Sequence, residues 1–207
     1  FFISSAIASS LFFAGCTADA ASVTAVAALK VLPVKSWAPH TGYQRSQFGD
    51  GWGDIGFCDT RNYILKRDLR NIVMRSGENC IVASGTLNDP YTGKVINFVR
   101  GVKTSLAVQI DHVVALSNAW STGAQQLSYA KRVQLANDPL ELLAVDGPTN
   151  ESKSDSDATD WLPRTAYRCA YVARQIAVKR KYQLWVRSQE KSAMAGVLST
   201  CPGFKLP

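Results

Sequence analysis

Val108-Gln109-Ile110-Asp111-His112-Val113-Val114 sets a carboxylate beside an imidazole in an otherwise apolar, β-branched run. Such a run reads as a buried strand, where charged and imidazole groups cost free energy unless they are paired or put to use. The chain holds only two histidines, His40 and His112. Neighbouring residues of a strand point to opposite faces. Asp111 and His112 can therefore serve one site only at a strand end or a bulge, and the polar Ser117-Asn118 soon afterwards is consistent with an end.

Outward from this pair, a second apolar run, Leu140 to Val145, leads through the turn Asp146-Gly147-Pro148-Thr149 into Asn150-Glu151-Ser152-Lys153. Two strands followed by an N-x-x-K segment bring an acid, an imidazole, an amide and an ammonium into sequence order. Phosphodiester hydrolysis needs an activated water, a counter to charge growing at phosphorus and help for the leaving 3′ oxygen. A neutral imidazole suits the first task, and a hard divalent cation held by oxygen ligands suits the other two. Blander readings stand beside these: His112 as a core histidine satisfied by Asp111, Asn150 as a helix cap, Lys153 as a solvated lysine.

Elsewhere, Asp59 or Thr60 caps a helix whose apolar residues Ile64, Leu65, Leu69, Ile72 and Val73 recur at helical spacing. Ile81–Leu87 and Lys94–Val99 read as strands joined through Asn88-Asp89-Pro90-Tyr91-Thr92-Gly93, a hairpin. A helix with Trp120, Leu127, Tyr129, Ala130 and Val133 on one face follows the Asp-His strand, and another surrounds Lys153 to Trp161. Ala166–Val186 is the longest helical candidate and Ser188–Leu198 the last. Trp37 to Trp52, with Pro39 and several glycines, reads as an irregular lead-in. The expected class is α+β in a single domain.

Composition is that of a globular chain, 46% hydrophobic and 19% charged, far from a disordered one. A net charge of +7 favours polyanionic partners through steering and counterion release. Phe1 to Gly15 carries no charge and reads as the remnant of a signal peptide; it is shorter than the roughly 20 apolar residues of a membrane span. Phe13-Ala14-Gly15-Cys16 is similar to a bacterial lipobox, in which Cys16 would carry lipid, although Phe13 departs from that pattern and a plain signal peptide is the alternative. Residues 16–36 read as a tether and 37–207 as the domain. Setting Cys16 aside leaves Cys58, Cys80, Cys169 and Cys201, an even count that suggests two disulfides in an exported protein. Local pairing, Cys58–Cys80 and Cys169–Cys201, is expected, because each pair brackets one helix-like segment. Lys179-Arg180-Lys181 reads as a solvated helix face.

The run Gln109 to Trp120, Leu135-Ala136-Asn137-Asp138-Pro139 through Asn150, Lys153, Cys58-Asp59-Thr60-Arg61-Asn62 and Tyr167-Arg168-Cys169-Ala170-Tyr171 together resemble the secreted HNH-type (ββα-metal) nucleases of actinomycetes and related bacteria. The resemblance covers nearly everything from Gly49 to Cys201. It implies a ββα-metal (HNH-like) core surrounded by further helices and the β-hairpin. It also implies an exported endonuclease cutting DNA, and RNA as a second substrate, with little sequence specificity. His112 is then the general base, and Asp111 and Asn150 ligate one Mg²⁺ or Mn²⁺. Lys153 holds a phosphate or stabilises the transition state, and Arg61 is a further substrate contact. Glu141 stands where the family carries Asn to brace the loop of the base; an ionised Glu accepts hydrogen bonds but cannot donate them. The alternative is a catalytically weakened, cell-surface nucleic-acid-binding lipoprotein. A monomer is expected on either reading.

Overall fold

Residues 23–207 are described by a computed structural model. The signal remnant and the lipobox Cys16 lie outside the described residues. The chain runs α1 (Ala25–Val31), β1 (Asp54–Ile55), β2 (Cys58–Asp59), α2 (Thr60–Asp68), β3 (Leu69–Met74), β4 (Val82–Asn88), β5 (Val95–Val99) and β6 (Val108–His112). It continues α3 (Leu116–Ser121), α4 (Tyr129–Ala136), β7 (Leu142–Asp146), α5 (Gly147–Lys153), α6 (Arg168–Lys181) and α7 (Ser188–Leu198). The class is α+β in one domain, with sheets β1-β2, β3-β4-β5 and β6-β7.

The antiparallel β6–β7 ribbon is the centre of the molecule. Its register sets Asp111 opposite Leu143 and His112 opposite Leu142. Strand alternation sends Leu143 and Val145 into one apolar cluster with Tyr91, Tyr171 and Ile176. Leu142 and Ala144 enter a second with Ile110, Ile64, Leu65 and Phe98. Both faces are thus covered, one by helices and the other by α2 and the three-stranded sheet. This explains why β7 is apolar at four of its five positions and buried at all five.

Several elements differ from their sequence signature. Helix α2, capped by Asp59 accepting from the Asn62 N–H at 2.8 Å, stops at Asp68. Ile72 and Val73 belong to β3 and are exposed at 37% and 57%, so their helical spacing was coincidental. The single helix expected after β6 is split into α3 and α4 by Gly123 (φ 127°), which leaves Tyr129 52% exposed rather than on an apolar face. The helix expected around Lys153–Trp161 instead spans Gly147–Lys153, started by Pro148 and by Asp146 accepting from the Thr149 N–H at 3.0 Å. α6 stops at Lys181, short of the expected Val186.

Part of the stretch read as a tether is core: α1 packs on α6 and α7 and buries Ala25, Ala28 and Leu29. Within the basic run, Lys179 is not solvated but fully buried, 2.8 Å from the carboxylate of Glu190. The disulfides Cys58–Cys80 and Cys169–Cys201 both form. No helix among the described residues is long and apolar enough to cross a membrane.

Candidate active site

Helix α5 brings Asn150 and Lys153 back onto the ribbon. Its entry demands glycine, because a Cβ at Gly147 would sit 2.0 Å from the Leu106 carbonyl oxygen. From there α5 packs on β6 and β7, and Lys153, its last residue, is sealed from solvent. The Lys153 ammonium donates to Asp111 Oδ1 and to the His112 carbonyl, each at 2.9 Å. The hairpin turn supplies the other partner of Asp111, the hydroxyl of Tyr91, which donates to Oδ2. Asp89 fixes that turn against the ribbon, accepting from the Thr92 N–H at 2.7 Å and the Asp146 N–H at 3.0 Å. Burial pushes the Asp111 carboxyl upward, while Lys153 and Tyr91 pull it back.

His112, on the opposite face, is held differently. Its ring lies flat against Trp52, centroids 5.7 Å apart and planes 9° from parallel. Nε2 is 3.0 Å from the carbonyl oxygen of Ala136, the last residue of α4. A carbonyl only accepts, so Nε2 carries the proton and Nδ1 carries the lone pair. Nδ1 has no hydrogen-bond partner among the described residues, yet it is not among the sealed unpartnered atoms, so it reaches solvent. Burial, reinforced by the Arg45 guanidinium, pushes the imidazole down to about 3. The ring is neutral at pH 7.

Because β6 ends at His112, both residues line one cavity of ≈ 580 Å³, with Gln109, Asn150, Glu151 and Arg45. Gln109 orders its rim, accepting from Asn150 Nδ2 and donating to Glu151, each at 2.8 Å. Asn150 Oδ1 has no donor among the described residues. Asn150 itself lies inside α5 and does not cap it; Asp146 does.

Glu141 is fully buried just before β7. Its carbonyl accepts from the Val113 N–H at 2.9 Å and its Oε2 from the Val114 N–H at 3.2 Å, while Oε1 has no partner among the described residues. Burial pushes its carboxyl far up, with Val114 opposing only in part. A sealed carboxyl with no cation in hydrogen-bond reach is biased towards its protonated form. Glu141 braces the segment after His112 through its backbone carbonyl and Oε2. Gln175 holds the same segment, donating to the Val113 carbonyl at 2.8 Å.

Asp111, His112 and Asn150 are thus brought together in the cavity, and three residues read from the sequence lie outside it, the first being the sealed Glu141. Lys153 lies behind Asp111 rather than in the cavity. Arg61 reaches the carbonyls of Val108 (3.1 Å) and Ser105 (3.4 Å), bracing the start of β6. Sequence reasoning missed Arg45, Trp52, Tyr91, Gln175 and the Ala136 carbonyl. His40, from the lead-in, lines the same cavity. Arg45, Trp52 and His40 fall in the lead-in and Tyr91 in a turn, where no periodicity assigns a face, whereas Gln175 lies in the expected long helix and Ala136 at a helix end, where nothing in the sequence marks a contact with the site.

An "uncharacterized secreted protein" of the fungus Arthroderma benhamiae is 36% identical over 181 residues, covering 86% of this chain and 85% of its own. No solved structure gives a significant match. Residues 59–197, from the cap of α2 into α7, match the family described as "GmrSD restriction endonucleases, C-terminal domain". That span contains Asp111, His112, Glu141, Asn150 and Lys153, and the chain belongs to this nuclease family.

Proposed function

We propose that the protein is an exported, metal-dependent endonuclease that hydrolyses DNA, and RNA as a second substrate, with little sequence specificity. The observation that carries this reading is the bare Nδ1 of a neutral, stacked His112 beside the oxygens of Asp111 and Asn150 in one cavity. The antiparallel β6–β7 pair followed by α5 supports an HNH-like ββα assignment. Two disulfides, and a relative whose printed name is "secreted", support export.

A water in the cavity gives its proton to His112 Nδ1 as its oxygen bonds to phosphorus. The P–O3′ bond then breaks, leaving a 5′-phosphate, and the 3′ oxygen takes a proton from solvent. A phosphodiester beside Arg45 offsets the guanidinium and raises the basicity of His112 towards the working range. Arg45, exposed and without a hydrogen bond or ion pair among the described residues, is the natural grip for that phosphate. Lys153 keeps Asp111 charged and aimed, and Glu141 braces the segment behind His112; both are positioning residues. Arg61 acts on substrate only through β6.

The donor set fits a hard cation. Each Asp111 oxygen has one partner and retains a lone pair, and Asn150 Oδ1 has no donor among the described residues. Mg²⁺ and Mn²⁺ suit such a site, since Mg²⁺ keeps several waters and takes one or two carboxylates plus substrate phosphate oxygens. Held by Asp111 and Asn150, the ion would supply Lewis acidity at the phosphate and charge relief at the leaving oxygen. Lipid on Cys16 is a separate proposal, checked by mass spectrometry of the membrane fraction.

The test is plasmid degradation with Mg²⁺ or Mn²⁺ against EDTA, wild type beside His112→Ala. Loss of a general base costs about 10²–10⁴-fold, so only wild type with metal should cut. Equal cutting by both proteins, or none under any metal, refutes the proposal.

A further inference from the structure

A second cavity, of ≈ 240 Å³, meets the first at His112; Arg45, His112 and Leu116 line both. Its remaining wall is Phe48, Gly49, Gly51, Trp52 and Ala136. Trp52 is its partly exposed aromatic residue, and a Cβ added at Gly51 would meet nothing within 4 Å. Its only charged side chain is Arg45, and the Ala136 carbonyl is already taken by His112 Nε2. Arg45 to Trp52 also precede the family match, which begins at residue 59. Five of the slot's lining residues therefore come from a segment outside the matched nuclease core, while His112, Leu116 and Ala136 come from within it.

We infer that this slot takes one unpaired nucleobase next to the scissile phosphate, so that the enzyme acts on single-stranded or locally opened nucleic acid in preference to intact duplex. The inference rests on the nuclease reading of the neighbouring cavity. A phosphate gripped by Arg45 at the junction carries a nucleoside on each side, and one of them falls at the mouth of the slot. Its volume lies below the roughly 300–1,000 Å³ of pockets that enclose drug-sized ligands, which suits one planar ring system rather than a base pair. In duplex the base is stacked and paired inside the helix, and bringing it into a pocket costs unstacking energy that a single strand does not pay. Recognition through an aromatic wall reads the face common to all bases, in keeping with low sequence specificity.

The test is binding in EDTA, followed by fluorescence anisotropy, of a short labelled DNA strand, its hairpin duplex, and a series of strands with one abasic position moved along the sequence. We expect the single strand to bind about tenfold more tightly than the duplex. One abasic position should dominate the loss in the series, and Trp52→Leu should erase both effects. Arg45→Ala should weaken single strand and duplex alike. Equal or tighter duplex binding, or a flat abasic series with the wild-type protein, overturns the inference without relying on any variant to fold. Cleavage of the same strands with Mn²⁺ is read separately. Selective binding without cleavage keeps the slot and refutes the nuclease reading, whereas cleavage of strand and duplex at equal rates refutes the slot alone.

Discussion

Asp111 and His112 are consecutive, yet they occupy two different environments. On the face towards α5, Asp111 is locked by a buried ammonium and a buried hydroxyl. On the face towards α2, His112 is stacked, neutral and charge-free, with one nitrogen tied and the other open. The first face holds a charge in place; the second keeps a charge away. A strand end lets a single cavity use both, because the alternation that separates the side chains no longer has a next residue to bury.

The comparison is broken most severely from the Asp111 side. Lys153→Met leaves a buried carboxylate without its cation, which costs about 3–5 kcal/mol. Urea melts should show that loss, and Lys153→Met/Asp111→Asn should recover part of it. Full stability of the single variant would mean that the pair is not the lock described. Arg45→Ala acts on the other face. It should weaken binding of single-stranded DNA about tenfold and move the His112 titration upward, because the guanidinium adds to the depression. A variant with wild-type affinity and an unmoved titration would remove Arg45 from the site.

Glu141→Gln is the smallest change. A carboxyl whose folded pKa lies above its unfolded value supports the fold fully below the unfolded pKa, and that support fades as pH rises towards the folded one. The variant should therefore match wild type below about pH 4.5 and gain stability as pH rises above it. A gap that grows towards acid instead would mean that Glu141 is buried as the anion. Cleavage should survive, since the amide keeps the hydrogen bond from the Val114 N–H.

Much of this site is legible in the chain before it folds. Asp111-His112, Asn150 and Lys153 sit on regular elements whose apolar neighbours announce them, Glu141 directly precedes one, and the two disulfides follow from local bracketing. Arg45 and Trp52 come from an irregular lead-in, and Tyr91 from a hairpin turn, where neither period 2 nor period 3.6 marks a face. Whether Lys153 faces solvent or Asp111 depends on how closely α5 approaches β6, a distance set by Gly147 against Leu106. The helix boundaries that differed, at Asp68 and Gly123, are places where a turn or a tertiary sheet overrode apolar spacing.

The most direct test of the account is the state of the His112 ring, read by ¹⁵N-detected NMR of histidine-labelled protein between pH 2.5 and 8. At pH 7 the ring should be neutral, with the proton on Nε2 and Nδ1 bare, and it should take up its second proton only on acidification towards about pH 3. A proton on Nδ1 at pH 7, or a titration near the ordinary histidine value of 6.5, would contradict it.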